Sequence, residues 1–270
     1  MRHRMLIALV PPVLAGVALA SCQDDGSPTA PALASAPADA QLVQQGRDRE
    51  FTRNFHFDRC TFSDRGRNLF FVLEPGYTQV FRGVENGAAT QLTVRVLHTT
   101  ERVGGVTTRV VVERETANGE LVEISRNFFA ICKQNNSVFY FGERTDVYEH
   151  GRVVSHEGSW RHGANGARAG LFMPGLALVG SRFFQEVAPG VALDRSEIVD
   201  LDATLNTPLR SFTNVLVSRE TTPLEPGSVE FKWYAPDVGL IRDDLLRLVK
   251  SGFEGERDDA DASRGHAGAP

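Results

Sequence analysis

Gln91-Leu92-Thr93-Val94-Arg95-Val96-Leu97 alternates polar and apolar side chains over its first six residues. A period of two puts Leu92, Val94 and Val96 on one side of an extended chain and Gln91, Thr93 and Arg95 on the other. That is the signature of a strand with one buried face. Residues 106–115 continue it with β-branched bulk, and Asn118-Gly119, between 110–116 and 120–124, is the dipeptide best suited to a two-residue hairpin turn. Downstream, Asn135-Asn136 precedes a strand at 137–142, and Glu149-His150-Gly151 separates 145–148 from 152–160. Strand-like runs follow at 182–187, 192–201, 214–221, 229–235 and 239–242. Residues 242–249 read either as one short C-terminal helix or as the closing strand. The expected fold is all-β: an antiparallel meander forming a barrel or a sandwich.

An internal echo suggests two related halves, 68–163 and 171–250. Arg114-Glu115-Thr116 is followed by Phe128-Phe129-Ala130, and Arg219-Glu220-Thr221 by Trp233-Tyr234-Ala235 at the same spacing. Each triplet also lies downstream of a Pro-Gly, Pro75-Gly76 and Pro174-Gly175.

The chain has 270 residues, 41% hydrophobic and 23% charged, which excludes wholesale disorder and a multi-span membrane protein. Net charge is −5; without Arg2 and Arg4 the 29 basic residues fall to 27 against 34 acidic ones, so the chain from Cys22 onward carries −7. No basic footprint of a nucleic-acid binder is present.

Residues 1–21 read as a secretory signal: Arg2 and Arg4 precede an apolar run at 5–20 that Pro11-Pro12 interrupts. Leu19-Ala20-Ser21-Cys22 has the form of a bacterial lipobox, so Cys22 is the expected site of lipid attachment, with a diacylglycerol thioether and an N-acyl chain such as palmitate. Several acyl chains anchor a soluble domain firmly without a transmembrane helix. Gln23 directly after the cysteine, in place of an aspartate, points to the outer membrane over the inner. Residues 22–50 are rich in Ala, Pro, Ser, Gln, Asp and Gly and read as a disordered tether with a reach of about 30 Å. Residues 251–270 read as a disordered tail, leaving a β-rich domain at 51–250.

Residues 68–83, Asn68-Leu69-Phe70-Phe71-Val72-Leu73-Glu74-Pro75-Gly76-Tyr77-Thr78-Gln79-Val80-Phe81-Arg82-Gly83, are similar to a recurring opening, Asn-Pro-Phe-Phe-Pro-Leu-x-Pro-Gly-Thr-x-Trp-x-Tyr-x-Gly, of a family of secreted or lipid-anchored bacterial β-rich proteins. Tyr140-Phe141-Gly142-Glu143, Glu157-Gly158-Ser159-Trp160, Thr222-Pro223-Leu224-Glu225-Pro226-Gly227 and Trp233-Tyr234-Ala235-Pro236 resemble its later motifs. Leu69, Val72 and Asp237 depart from the pattern. The resemblance implies an extracytoplasmic β-domain and carries over no catalytic residue.

With Cys22 lipidated, Cys60 and Cys132 remain as an even pair in an oxidising compartment, and a disulfide between them is expected. His150, His156 and His162 share a strand face, but at ~3.3 Å per residue the first and third lie about 20 Å apart, too far for one metal ion. Glu197, Asp200 and Asp202 contain the spacing a paired-carboxylate hydrolase needs, and acids on a solvent face look the same. No nucleophile elbow, phosphate loop or dinucleotide fingerprint occurs, so no cofactor is expected. Seventeen phenylalanines include the doublets Phe70-Phe71, Phe128-Phe129 and Phe183-Phe184, each sending one ring to either face of a strand. They read as an aromatic core, or as the lining of a lipid carrier. The functional expectation is a lipid-anchored, non-catalytic envelope binding module or scaffold. Its partners would be the membrane through the anchor, and an envelope protein or a hydrophobic small molecule. A lipid carrier and an envelope hydrolase are the alternatives.

Overall fold

A computed structural model describes residues 50–253. The expected signal, Cys22, the tether up to residue 49 and the tail beyond residue 253 lie outside the described residues. Apart from one 3-10 turn at Phe57–Arg59, every regular element among the described residues is a strand. Three short strands come first: β1 (Phe62–Ser63), β2 (Gly66–Asn68) and β3 (Phe71–Leu73). A five-strand meander follows, β4 (Tyr77–Glu85), β5 (Ala88–Val103), β6 (Val106–Ala117), β7 (Glu120–Cys132) and β8 (Val138–Glu149). β9 (Arg152–Ser155) and β10 (Trp160–Arg161) pair onto β8, as does β11 (Arg168–Met173). After β12 (Arg182–Phe184) and β13 (Glu186–Val187), a second meander runs through β14 (Arg195–Asn206), β15 (Ser211–Thr221), β16 (Glu230–Ala235), β17 (Gly239–Asp243) and β18 (Leu246–Phe253).

The turns show why the chain meanders. Asn86-Gly87, Asn118-Gly119 and His150-Gly151 each place two consecutive residues at positive φ (50 and 78, 51 and 86, 50 and 73). That is the twist of a two-residue hairpin whose strands continue their right-handed coil.

Hydrogen bonding follows the path β12–β14–β15–β16–β17–β18–β4–β5–β6–β7–β8–β11–β13, which contains 13 strands. β18 pairs with β4, joining the end of the second meander to the start of the first. The two ends of the path belong to one extended segment. Arg182, Phe183 and Phe184 pair with β14, Glu186 and Val187 pair with β11, and Gln185 alone stands between. The sheet is therefore a nearly closed, barrel-like wall. Gly170 marks how tightly β11 meets the seam: a Cβ there would lie 2.5 Å from the carbonyls of Phe184 and Gln185.

Alternation along each strand divides the side chains between two faces. Inward, Phe129, Ile131, Val138, Tyr140, Ile198, Leu216 and Tyr234 form one core, into which the β2–β3 hairpin contributes Phe70, Val72 and Leu73. Phe81, Leu92, Val215, Ile241, Leu246 and Leu248 extend it under β4, β5 and the last strands. Outward, Phe128, Ala130, Phe139 and Phe141 are covered by Phe55, Phe57 and Phe62 of the lead-in. The Cys60–Cys132 disulfide, with Cα atoms 5.1 Å apart, ties that cover to the wall.

Two sequence expectations change, and the open alternative at 242–249 is decided for the closing strand. The tail does not start at residue 251: Ser251, Gly252 and Phe253 pair with Gln79, Thr78 and Tyr77, and the Phe253 ring packs 5.3 Å from that of Tyr77. Residues 242–249 are no helix but a hairpin, because Asp244 turns at φ 49 and Leu246 and Leu248 alternate inward. Phe70 and Phe71 do not split between faces; both pack against the inner core, since Phe70 lies in the turn between β2 and β3. The other two doublets split as expected.

The disulfide closes a separation of 72 residues, so in the chain-entropy account it disfavours the unfolded state by about 4 kcal/mol. Replacing both cysteines, Cys60→Ser with Cys132→Ser, is expected to lower stability by roughly that amount. Equilibrium denaturation, with limited proteolysis reporting release of residues 51–62, checks it.

Candidate functional site

The inner wall is not uniformly apolar. Asn127 (β7), Glu143 (β8), Glu186 (β13), Glu220 (β15), Lys232 (β16) and Asp243 (β17) all face inward and expose 8% or less of their surface. On one side Tyr140 donates its hydroxyl toward Asn127 Oδ1 at 2.5 Å, with Glu143 Oε2 at 3.0 Å. On the other, Lys232 Nζ lies 3.2 Å from Glu220 Oε2 and 3.8 Å from Asp243 Oδ1. Burial works against the charged amine, but Asp243 and Glu220 outweigh it and hold the Lys232 pKa well above its usual value. Gln185 bridges the seam by donating Nε2 to Glu220 Oε1 at 3.0 Å.

Glu186 is the outlier. It is fully buried, accepts the Asp194 amide at Oε1 over 2.8 Å, and leaves Oε2 without a partner among the described residues. Burial first, and the neighbouring Asp194 carboxylate next, push its pKa well above the ordinary glutamate range. Such an environment favours the neutral form of the acid within the wall. With almost no exposed surface, these side chains hold strands in register and have no route to a substrate.

The residues singled out in the sequence are not brought together. Glu197 is bridged on the outer face by Arg182 at 2.9 Å and by Arg219. Asp200 accepts the amide of Asp202 at 2.9 Å, and both acids are exposed on β14, where the register shifts on either side of Asp200. His156 Nδ1 sits 2.9 Å from Asp146 Oδ1, and His150 occupies an exposed turn. His162 is half-buried, not exposed: its Nδ1 accepts the Ala169 amide at 3.0 Å, and its ring stands edge-on to Phe57 and Phe141. No group of three metal-ligating side chains occurs among the described residues. The Phe rings contact one another, as between Phe129 and Tyr140 at 4.8 Å and Phe129 and Phe172 at 4.9 Å.

One arrangement was not anticipated. Across adjacent strands, Trp233 pairs with Arg242, Arg242 with Arg247, Arg247 with Arg82, and Arg82 with Gln91. Directly opposed residues share a face, so three arginines stand side by side on the outer wall, with neighbouring strands about 4.8 Å apart. Arg242 lies 4.0 Å over the Trp233 ring and donates Nε to the Asp244 carbonyl at 2.5 Å. Burial, and then the charge of Arg247, lower its pKa. Arg82 donates to the neutral Gln91 side chain at 2.9 Å. None of the three is in a salt bridge among the described residues. Opposed like charges are destabilising, so the row is maintained against its own repulsion. The residues are 5 and 160 positions apart in sequence, and only register assembles them. Comparison with protein-family models, curated proteins and solved structures finds no match to this chain.

The raised pKa of Glu186 fixes a pH signature. Its neutral form favours the folded state fully below the unfolded glutamate pKa, about 4.3. That contribution is lost as pH rises toward the folded-state value. Glu186→Gln keeps the acceptor for Asp194 and removes the titration. The variant is expected to melt higher than the parent at pH 8, the gap closing toward pH 4. Melting curves across that range check it. Asp146 and Glu197, lowered by their arginines against burial, contribute oppositely, their stabilisation being lost only as pH falls further into the acid range.

Proposed function

We propose that this protein is a lipid-anchored envelope module that binds an anionic partner through the Arg82–Arg247–Arg242 row. The row is the observation that carries the reading. Guanidinium groups present forked donors suited to carboxylate and phosphate oxygens, and here three are aligned, with the Asp244 carboxylate acting on Arg242 and no salt bridge to any of the three among the described residues. Trp233 under Arg242 keeps that side chain extended along the wall. The lipobox at Leu19-Ala20-Ser21-Cys22 and the tether at 22–50 support attachment to a membrane, and Gln23 directly after the cysteine favours the outer one. The similarity to secreted or lipid-anchored β-rich proteins supports the same location. Glu197 held by two arginines, and Asp200 turned onto its own strand, favour binding over paired-carboxylate hydrolysis.

Trp233 supplies a direct readout. Inorganic polyphosphate and polyglutamate serve as probes for the two oxygen chemistries, and anion capture that draws Arg242 off the ring changes tryptophan emission. A salt-sensitive change is expected in the parent chain, weakened at least about tenfold in Arg82→Gln/Arg247→Gln, each lost charge-assisted contact being worth about 1.5 kcal/mol or more. Undiminished binding by that variant would remove the reading. Relief of repulsion is also expected to raise the variant's own stability, by about 0.2–1 kcal/mol for each like-charge pair removed. Lipid attachment is tested separately: Cys22→Ser should leave the detergent phase for the aqueous phase.

A further inference from the structure

Pro174-Gly175-Leu176-Ala177-Leu178-Val179-Gly180-Ser181 connects β11 to β12, and of its side chains only the Ser181 hydroxyl can hydrogen-bond. Leu176, Leu178 and Val179 are 76%, 57% and 62% exposed, while Ala177 packs against the inner core. Exposed aliphatic residues scattered singly are ordinary; three within four positions are not.

The backbone holds them outward. Pro174 O accepts Asn68 Nδ2 at 2.9 Å, and the Gly175 amide donates to Ser137 Oγ at 3.0 Å. A Cβ on Gly175 would collide with the Asn135 carbonyl, so the loop sits flush against the β7–β8 turn. At the far side Ser181 N donates to Leu178 O at 3.1 Å and Gly180 N to Ile198 O at 2.7 Å. Pinned at both ends, the loop cannot fold its leucines back onto the core.

The loop also lies where the N-terminal chain joins the barrel. Arg182 NH1 contacts Glu50 Oε2 at 2.9 Å, and Thr52 N donates to Arg182 O at 3.0 Å. Val179 precedes Arg182 by three residues, at most about 10 Å of chain. Cys22 precedes Glu50 by 28 residues, so a lipid anchor there would tether the barrel to the bilayer through this end of the wall.

We infer that the 174–181 loop is a lipid-contact surface that seats the barrel on the membrane. A projecting aliphatic surface whose one polar side chain is Ser181 suits insertion into the interfacial region of a bilayer, which requires only apolar area. The seam beside the loop is five strand steps from β18 by one route around the wall and six from β4 by the other. Seating at the loop therefore turns the arginine row away from the membrane, toward the compartment in which an anionic partner is met. The inference rests on the lipid-anchored reading for the position of the membrane, but its test does not use the anchor.

The experiment is vesicle flotation of the chain from residue 22 onward carrying Cys22→Ser, with zwitterionic phosphatidylcholine at millimolar lipid. The protein is expected to float, and to float equally at low and high salt, since no charge is involved. Leu176→Asp/Leu178→Asp/Val179→Asp is expected to reduce partitioning at least about tenfold, and Leu176→Asn alone to reduce it measurably with the melting curve unchanged. Arg82→Gln/Arg247→Gln should float as the parent does. A parent chain that stays with the soluble fraction, a loop variant that floats undiminished, or binding abolished by salt would each overturn the inference. Absence of acyl groups on Cys22 in the wild-type protein, read by mass spectrometry, would instead remove the anchor and leave the flotation result standing.

Discussion

Gln185 stands where two hydrogen-bond ladders meet, and the closure of the wall depends on that one junction. Its neighbours on one side bond to β14 and on the other to β11, so a single extended segment supplies both edges that an open meander would leave exposed. Unpaired strand edges recruit other strands, and closure removes them. The junction is reinforced from within: Gln185 reaches Glu220, Glu186 takes the Asp194 amide, and β11 approaches closely enough that Gly170 has no room for a side chain.

Closure makes the interior scarce, and the residues filling it serve two ends. The apolar set provides the bulk of the driving force. The inward polar set does something different, because a buried group left unpaired costs about 1–3 kcal/mol, and a one-residue slip would unpair several at once. Lys232 between Glu220 and Asp243, and Tyr140 between Asn127 and Glu143, thereby tie register to charge and hydrogen-bond matching. Glu186 is the least settled member, stabilising the closed wall most when it keeps its proton.

The outside is divided as well. One wall is hidden beneath Phe55, Phe57 and Phe62 and locked by the disulfide. Another carries the arginine row, and the junction end carries the aliphatic loop. A row of like charges and a projecting set of leucines both run against what stability alone would select. Their separation around the wall gives the molecule two distinct faces, one aliphatic and one cationic.

Strand identity was legible in the chain because period-two alternation and Asn-Gly turns are local. Gln91 through Val96, Asn118-Gly119 and the split of Phe128 from Phe129 across the wall needed only the geometry of an extended backbone. The pairing of Cys60 with Cys132 was legible too, by elimination once Cys22 is set aside as the expected lipid site. Residues 242–249 were ambiguous because a short apolar pattern fits a helix or a hairpin until Asp244 takes its left-handed turn. Tertiary structure alone decided the rest. Arg82 meets Arg247 because β18 returns to β4, His162 is drawn under the lead-in, and Glu186 loses solvent because the seam closes over it. Each depends on which strands become neighbours, and neighbours far apart in sequence are chosen by closure of the whole sheet, not by any local run of residues.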